Sequence, residues 1–168
     1  MNYVYDFAFL GCTSIEEVTF KEDTFLSISI GESAFRNCIN LKSIIMNCNT
    51  LDSTHSSILA NAFNGCINLE TVVLPQDLAG IYDGVFVDCY KLTYIEIPNS
   101  VYWLGRNIFS GSGVEDVVIN TTGWKAYSSD LGLEEYVIGS VNFRNSKDNV
   151  ELLSIVDDSN PVKVYIRS

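Results

Sequence analysis

The sequence predicts an α/β repeat solenoid: right-handed, strand-rich, with short strands joined by short helical or 3-10 turns, and a partly β C-terminal cap. Three observations predict it. Four phenylalanines are each followed three residues later by a cysteine, in Phe9/Cys12, Phe35/Cys38, Phe63/Cys66 and Phe86/Cys89, and a fifth, Phe109, is followed at that offset by Ser112. The phenylalanines are 26, 28, 23 and 23 residues apart, and self-similarity at a period of about 20–50 residues marks a stacked array. The apolar residues around each pair also return at fixed offsets, so each unit repeats one pattern of burial.

Each element has its own warrant. Leu41, Ile44 and Met46 recur as Leu69, Val72 and Leu74, and again as Leu92, Ile95 and Ile97. The last two of each trio are two apart, as on one face of a strand. Five residues before the phenylalanines stand further apolar residues, Ile30, Ile58, Ile81 and Leu104. Each unit therefore reads as a strand, a turn, a short buried segment carrying Phe, and a return. One such unit cannot bury its apolar face alone, and stacking joins the faces into one core. Pro75 and Pro98 close the strands of units three and four, since a residue without an N–H ends ladder pairing.

The domain plan is about five units over residues 1–120 and a cap or small β appendage over 121–168. In the latter, Trp124–Tyr136 is expected to hold a short helix between Gly123 and Gly132. Tyr136–Phe143 alternates as a strand with a slip at Gly139, as a bulge supplies. Val150–Val156 and Val162–Ile166 read as strands, joined by a turn at Asp157–Pro161. The simplest role for this segment is to shield the last rung, whose open end is an apolar edge.

The motif A-F-x-x-C-x-x-L-x-x-I-x-I-P of units two to four, with Ile81–Phe86 and Leu104–Phe109 ahead of units four and five, resembles the BspA-like (Treponema-type) leucine-rich repeat family over about residues 5–120. The resemblance implies a solenoid found in bacterial or protist surface and secreted proteins that act in adhesion and protein binding. It therefore implies a cell-surface or secreted location. The chain's beginning, Met1–Asp6, shows neither a charged leader nor an apolar signal core. Taken alone that suggests a cytoplasmic product, whereas a first unit starting without a polar cap suggests a fragment of a longer surface protein.

Composition narrows the partners. A hydrophobic share of 47% is ample for a core in 168 residues. The net charge of −11 opposes electrostatic binding to nucleic acid or anionic lipid, so neither is an expected partner. No run of about 18 apolar residues exists to span a membrane. The repeat cysteines fall one per unit without C-x-x-C or a histidine at ligand spacing, so they read as small buried thiols rather than as a disulfide or metal set. Cys48, off the repeat, is the weak candidate for a reactive thiol. His55 stands alone in the Asp52–Ser57 insertion, where neighbouring Asp and Ser are too close in sequence for triad geometry. Asn120–Thr122 is a glycosylation sequon, of use only in a eukaryotic secretory route. No enzyme, cofactor or metal is expected, and Asp157 and Asp158 lack the spaced ligands of a calcium loop.

What remains is the outer face of the strands that follow each Leu position. Its residues are Glu16, Glu17 and Thr19; Lys42, Ser43 and Ile45; Glu70, Thr71 and Val73; Thr93, Tyr94 and Glu96; Glu115, Asp116 and Val118. A recognition face needs a few apolar or aromatic anchors among polar residues. Ile45, Val73 and Tyr94 fit as anchors, with Glu70, Glu96 and Asp116 setting the charge of a protein or glycan partner. On the returning segments Tyr82, Tyr102 and Trp103 occupy turn-side positions where polar residues are expected, and Trp103 joins the candidate binding set. The alternative is a structural spacer of a longer surface protein with no ligand of its own.

Overall fold

The computed structural model describes residues 2–20, 28–47, 56–98, 100–101, 103–105, 107–114, 116–120, 134–138, 141–146, 149–155 and 163–167. Cys48, His55, Tyr102, Glu115, residues 121–133, Gly139 and the Asp157–Pro161 turn lie outside them.

Each rung contributes one strand to each of two sides. On one side β1 (Asn2–Val4), β3 (Ile28–Ile30), β5 (Ser56–Ile58), β7 (Leu78–Ile81) and β9 (Trp103–Leu104) form a five-stranded parallel sheet in that order. On the other, β2 (Glu17–Phe20), β4 (Ser43–Met46) and β6 (Thr71–Val73) form one parallel sheet. There β8 (Tyr94–Ile97), β10 (Asp116–Asn120) and β14 (Lys163–Arg167) form another. The remaining strands, β11 (Glu134–Ile138), β12 (Val141–Ser146) and β13 (Asn149–Ile155), make an antiparallel sheet with a register shift between Asn142 and Phe143.

The core lies between the two sides. Phe35, Phe63, Phe86 and Phe109 are buried, and their rings pile in one file from Phe9 onward. Successive centroids are 5.0, 5.4, 5.6 and 5.7 Å apart, with planes within 11° of parallel. Ile30, Ile58, Ile81 and Leu104 line the core from the five-stranded side, and Leu41, Ile44, Met46, Leu69, Leu92, Ile95 and Ile97 from the other. Both strands that precede Pro75 and Pro98 end where expected, and their carbonyls start the next turns, accepting from the Leu78 and Val101 N–H groups.

The α component of the expected fold is not formed among the described residues. The Phe segments are chains of turns, for a backbone reason. In every unit the residues two before and two after Phe have positive φ: Phe7 and Gly11, Ser33 and Asn37, Asn61 and Gly65, Gly84 and Asp88, Asn107 and Gly111. A helix needs an unbroken run of right-handed residues, and a left-handed residue at every fourth position interrupts it within one turn. Alternate N–H groups close local turns, as in Ala34→Gly31, Arg36→Ser33 and Cys38→Phe35. The N–H groups between them reach the next rung, as in Ser33→Ala60, Phe35→Ala62 and Asn37→Asn64, at 2.8–3.0 Å. A helix would direct all these bonds inward along its own axis; this arrangement spends half of them on stacking.

Two further expectations are corrected. Residues 134–136, placed in a helix, belong to β11, because they pair in antiparallel register with 143–145. The strand expected near the end of the chain is β14, which pairs in parallel with β10 and extends the repeat sheet. Ser56 and Ser57 are strand rather than insertion loop. The Ser56 hydroxyl is buried, accepts from the Ile28 N–H at 2.9 Å and donates to the Asp77 carboxylate at 3.0 Å, so it fastens three rungs.

Candidate functional site: the outer face of the repeat sheets

Strand alternation divides the candidate face from the core. In β8 Tyr94 and Glu96 are exposed while Ile95 and Ile97 are buried, and in β6 Thr71 and Val73 flank the half-buried Val72. Ile45 of β4 is in register with Val73 of β6, which makes an apolar pair on the outer surface. Tyr94, 47% exposed, sits on the next rung, and its hydroxyl lies 3.3 Å from the Glu96 carboxylate. Asp116 occupies the β10 position in register with Tyr94. Six of the seven candidate residues therefore share one wall.

Trp103 does not share it. It belongs to β9 on the opposite side, is 53% exposed, and its ring centre lies 6.2 Å from that of Tyr82. Gly80, in register with Trp103, makes this packing possible: a Cβ there would stand 3.3 Å from both aromatic side chains.

The charges on the wall are partly paired across rungs. Lys42 Nζ meets Glu16 Oε2 at 2.6 Å, and Lys91 Nζ meets Glu70 Oε1 at 3.2 Å. The bond from Lys42 holds the Glu16 carboxyl below its usual range, and the same bond raises Lys42. Both pairs are solvent-exposed, where such contacts contribute little to stability. Glu70 is thus engaged with a lysine instead of presenting a bare charge, which lone-sequence reading missed because Lys91 lies 21 residues away.

A second feature missed by sequence reading is the use made of the thiols. Cys38, Cys66 and Cys89 each donate Sγ–H to the carbonyl of the preceding rung's phenylalanine, Phe9, Phe35 and Phe63, at 3.0–3.2 Å. Burial pushes all three thiols up, Cys89 to about 12. Their environment suits a protonated donor, not a nucleophile. The signal for the turns was present: eight of the ten residues at two places from Phe are Gly, Asn or Asp, the types that tolerate positive φ.

The BspA type leucine rich repeat region matches in six copies, over residues 2–128 and 47–151. The chain belongs to this family. The family and fold are those of non-enzymatic binding modules, and repeat proteins of surface type point to a protein-interaction or surface role. Among solved structures, a leucine-rich repeat protein of T. pallidum is similar at 29% identity and a TM-score of 0.60, covering 70% of this chain and 52% of that one. A leucine-rich cell-surface protein of Faecalibacterium prausnitzii aligns at 21% identity and a TM-score of 0.49, covering 88% of this chain and 44% of its own. The chain spans about half the length of the solved structures it matches. No curated protein matches it. No helix among the described residues is long and apolar enough to cross a membrane.

Proposed function

We propose that this BspA-type repeat array is a non-enzymatic adhesion or recognition module at the cell surface or in the secreted space, and that it holds a protein or glycan through the wall formed by β4, β6, β8 and β10. The observation that carries this reading is the exposed Val73, with the half-buried Ile45 in register beside it, next to the exposed Tyr94 and bordered by Glu70, Glu96 and the Asp116 position, on two parallel sheets. Exposed apolar anchors with a charged border are what a recognition patch requires. The surface placement is supported by the family resemblance.

The test is a screen of the intact chain against arrays of glycans and of extracellular proteins. It is repeated with a Val73→Ser/Tyr94→Ala pair and with a Glu70→Lys/Glu96→Lys pair. Loss of a hit by at least tenfold, with unchanged melting, supports recognition by this wall. Hits insensitive to both pairs, or no hit at all, favour the spacer reading in which the wall has no ligand.

A further inference from the structure

The outer wall is broken in the middle of the array. β2, β4 and β6 form one parallel sheet and β8, β10 and β14 another, so β6 and β8 share no ladder although their rungs are neighbours. The same two rungs are joined through the core and on the far side, where Phe63 and Phe86 stack at 5.6 Å and β5 pairs with β7. The cause lies two residues after each cysteine. Asn40 Nδ2 donates to the Thr13 carbonyl at 2.8 Å and Asn68 Nδ2 to the Ile39 carbonyl at 2.7 Å, each gripping the rung before. The fourth unit has Lys91 at this position, and no described donor reaches the Ile67 carbonyl that continues the series. The backbone bonds stop at the same place. The Glu16 carbonyl accepts from the Lys42 and Ser43 N–H groups, and the Lys42 carbonyl from those of Glu70 and Thr71, but no described N–H reaches the Glu70 carbonyl. Lys91 turns instead to the Glu70 carboxylate at 3.2 Å, an exposed pair of the kind that contributes little.

The gap leaves one edge of β6 on offer. The Thr71 N–H donates to Lys42, so Thr71 faces β4. Backbone groups alternate along a strand, and the N–H and C=O of Val72 therefore face the gap, in line with the Glu70 carbonyl. The core also shows through it. Val72 stands in the inward column with Ile44 and Ile95, which are fully buried, yet Val72 is only half-buried. Val73 and Tyr94, both exposed, flank the gap on the outer face.

We propose that the slot between β6 and β8 accepts an extended segment of a partner polypeptide as an added strand, which pairs with the Val72 edge of β6 and covers the Val72 side chain. This deepens the reading of the wall and rests on it for Val73 and Tyr94 as anchors. The backbone edge selects the occupant: acceptor, donor and acceptor follow one another along β6, a series that an extended polypeptide matches residue for residue and a glycan does not. Charge selects its side chains. Glu70 and Glu96 border the slot, and a basic residue on the segment takes the place of Lys91 at the Glu70 carboxylate, as Lys42 does at Glu16. Entry parts the wall strands to roughly 10 Å, two ladder spacings, with the paired β5 and β7 as the hinge.

A fluorescein-labelled peptide copying residues 40–47 serves as the probe, because it carries the amide, the lysine and the inward Ile that seat β4 against the rung before it. It is titrated into the intact chain by fluorescence anisotropy. Saturable binding is expected, weakened at least tenfold by N-methylation of Ser43 in the peptide. Lys91→Asn in the protein supplies the missing amide and should close the slot, cutting binding at least tenfold with the melting temperature unchanged or raised. Lys91→Ala removes the ion pair without supplying an amide and should bind within about twofold of wild type. Amide hydrogen exchange at Val72 should be faster than at Ile44, and should slow on adding peptide. No binding at millimolar peptide, binding indifferent to N-methylation and to Lys91→Asn, or a Val72 amide as protected as that of Ile44 overturns the proposal. Array hits lost in the Val73→Ser/Tyr94→Ala pair but kept in Lys91→Asn would also overturn the slot while leaving the wall as the recognition face.

Discussion

Truncating Phe63 to Ala should be the most damaging single change in the file of rings. Its side chain is fully buried and stacks on both neighbours, 5.4 Å from Phe35 and 5.6 Å from Phe86. Removing a buried Phe costs roughly 3–5 kcal/mol through lost transfer energy and the residual cavity, and each lost ring pair contributes about 0.5–1.5 kcal/mol within that total. Phe9 has one ring neighbour and keeps over a third of its surface in water. Scaling its burial term accordingly and removing one ring pair gives about 2 kcal/mol for Phe9→Ala. Urea unfolding followed by far-UV circular dichroism measures both variants. For a chain of this length the difference from wild type corresponds to a fall in melting temperature of about 10 °C for Phe63→Ala and about half that for Phe9→Ala. A Phe63→Ala/Phe86→Ala cycle should show coupling, since the two rings touch. Equal losses at Phe9 and Phe63, or strict additivity in the cycle, would refute a load shared through a single stack.

Other outcomes follow from the same geometry. Gly105→Ala should destabilise by about 2 kcal/mol or more, because its Cβ would run into the backbone of Tyr82 and Asp83 with nowhere for it to move; thermal melting reads it. Brief alkylation of the native protein followed by peptide mass spectrometry should label the partly exposed Cys12 and spare Cys38, Cys66 and Cys89 until the chain unfolds. Stability should fall at alkaline pH. The Cys89 thiol ionises near 9 when unfolded and only near 12 when folded, so its contribution is complete below pH 9 and is lost as pH rises towards 12. Cys66 acts in the same direction. Cys89→Ser should flatten the decline in urea titrations between pH 9 and 11.

The periodic parts of this fold were legible before any coordinates. Side chains that repeat at fixed offsets report the inward positions of every rung, and the Phe, Ile and Leu columns all lie where their spacing places them. What the spacing does not carry is the sign of φ between those columns. Read as apolar spacing, A-F-x-x-C fits a helical turn as well as it fits alternating turns. Only the Gly, Asn and Asp residues beside Phe separate the two, and Phe7 and Ser33 blur that signal. The candidate wall was legible as a set of outward positions. Its charge pairs, Glu16 with Lys42 and Glu70 with Lys91, depend on stacking of residues 26 and 21 apart and so become visible only once rungs are superposed. Trp103 was legible as lying away from the wall, on the returning segment, but it belongs to strand β9 and not to a turn-side position.

The alternating turns also explain why the repeat spends a cysteine in each rung. A Phe carbonyl accepts from the N–H of its own rung's cysteine, at 3.0 Å for Cys12, and has a second lone pair facing the next rung. Water cannot reach that lone pair inside the stack, and leaving a buried acceptor half-used is unfavourable. A thiol is small and apolar enough to sit beside the ring file and still donate. In the fifth unit, Ser112 turns its hydroxyl back onto the carbonyl of its own Phe109, at 2.8 Å, and accepts from the Val114 N–H. The substitution from thiol to hydroxyl coincides with a unit one residue shorter before its apolar run. Each buried thiol bonds the rung before it, so the array is directional in its side chains as well as its backbone.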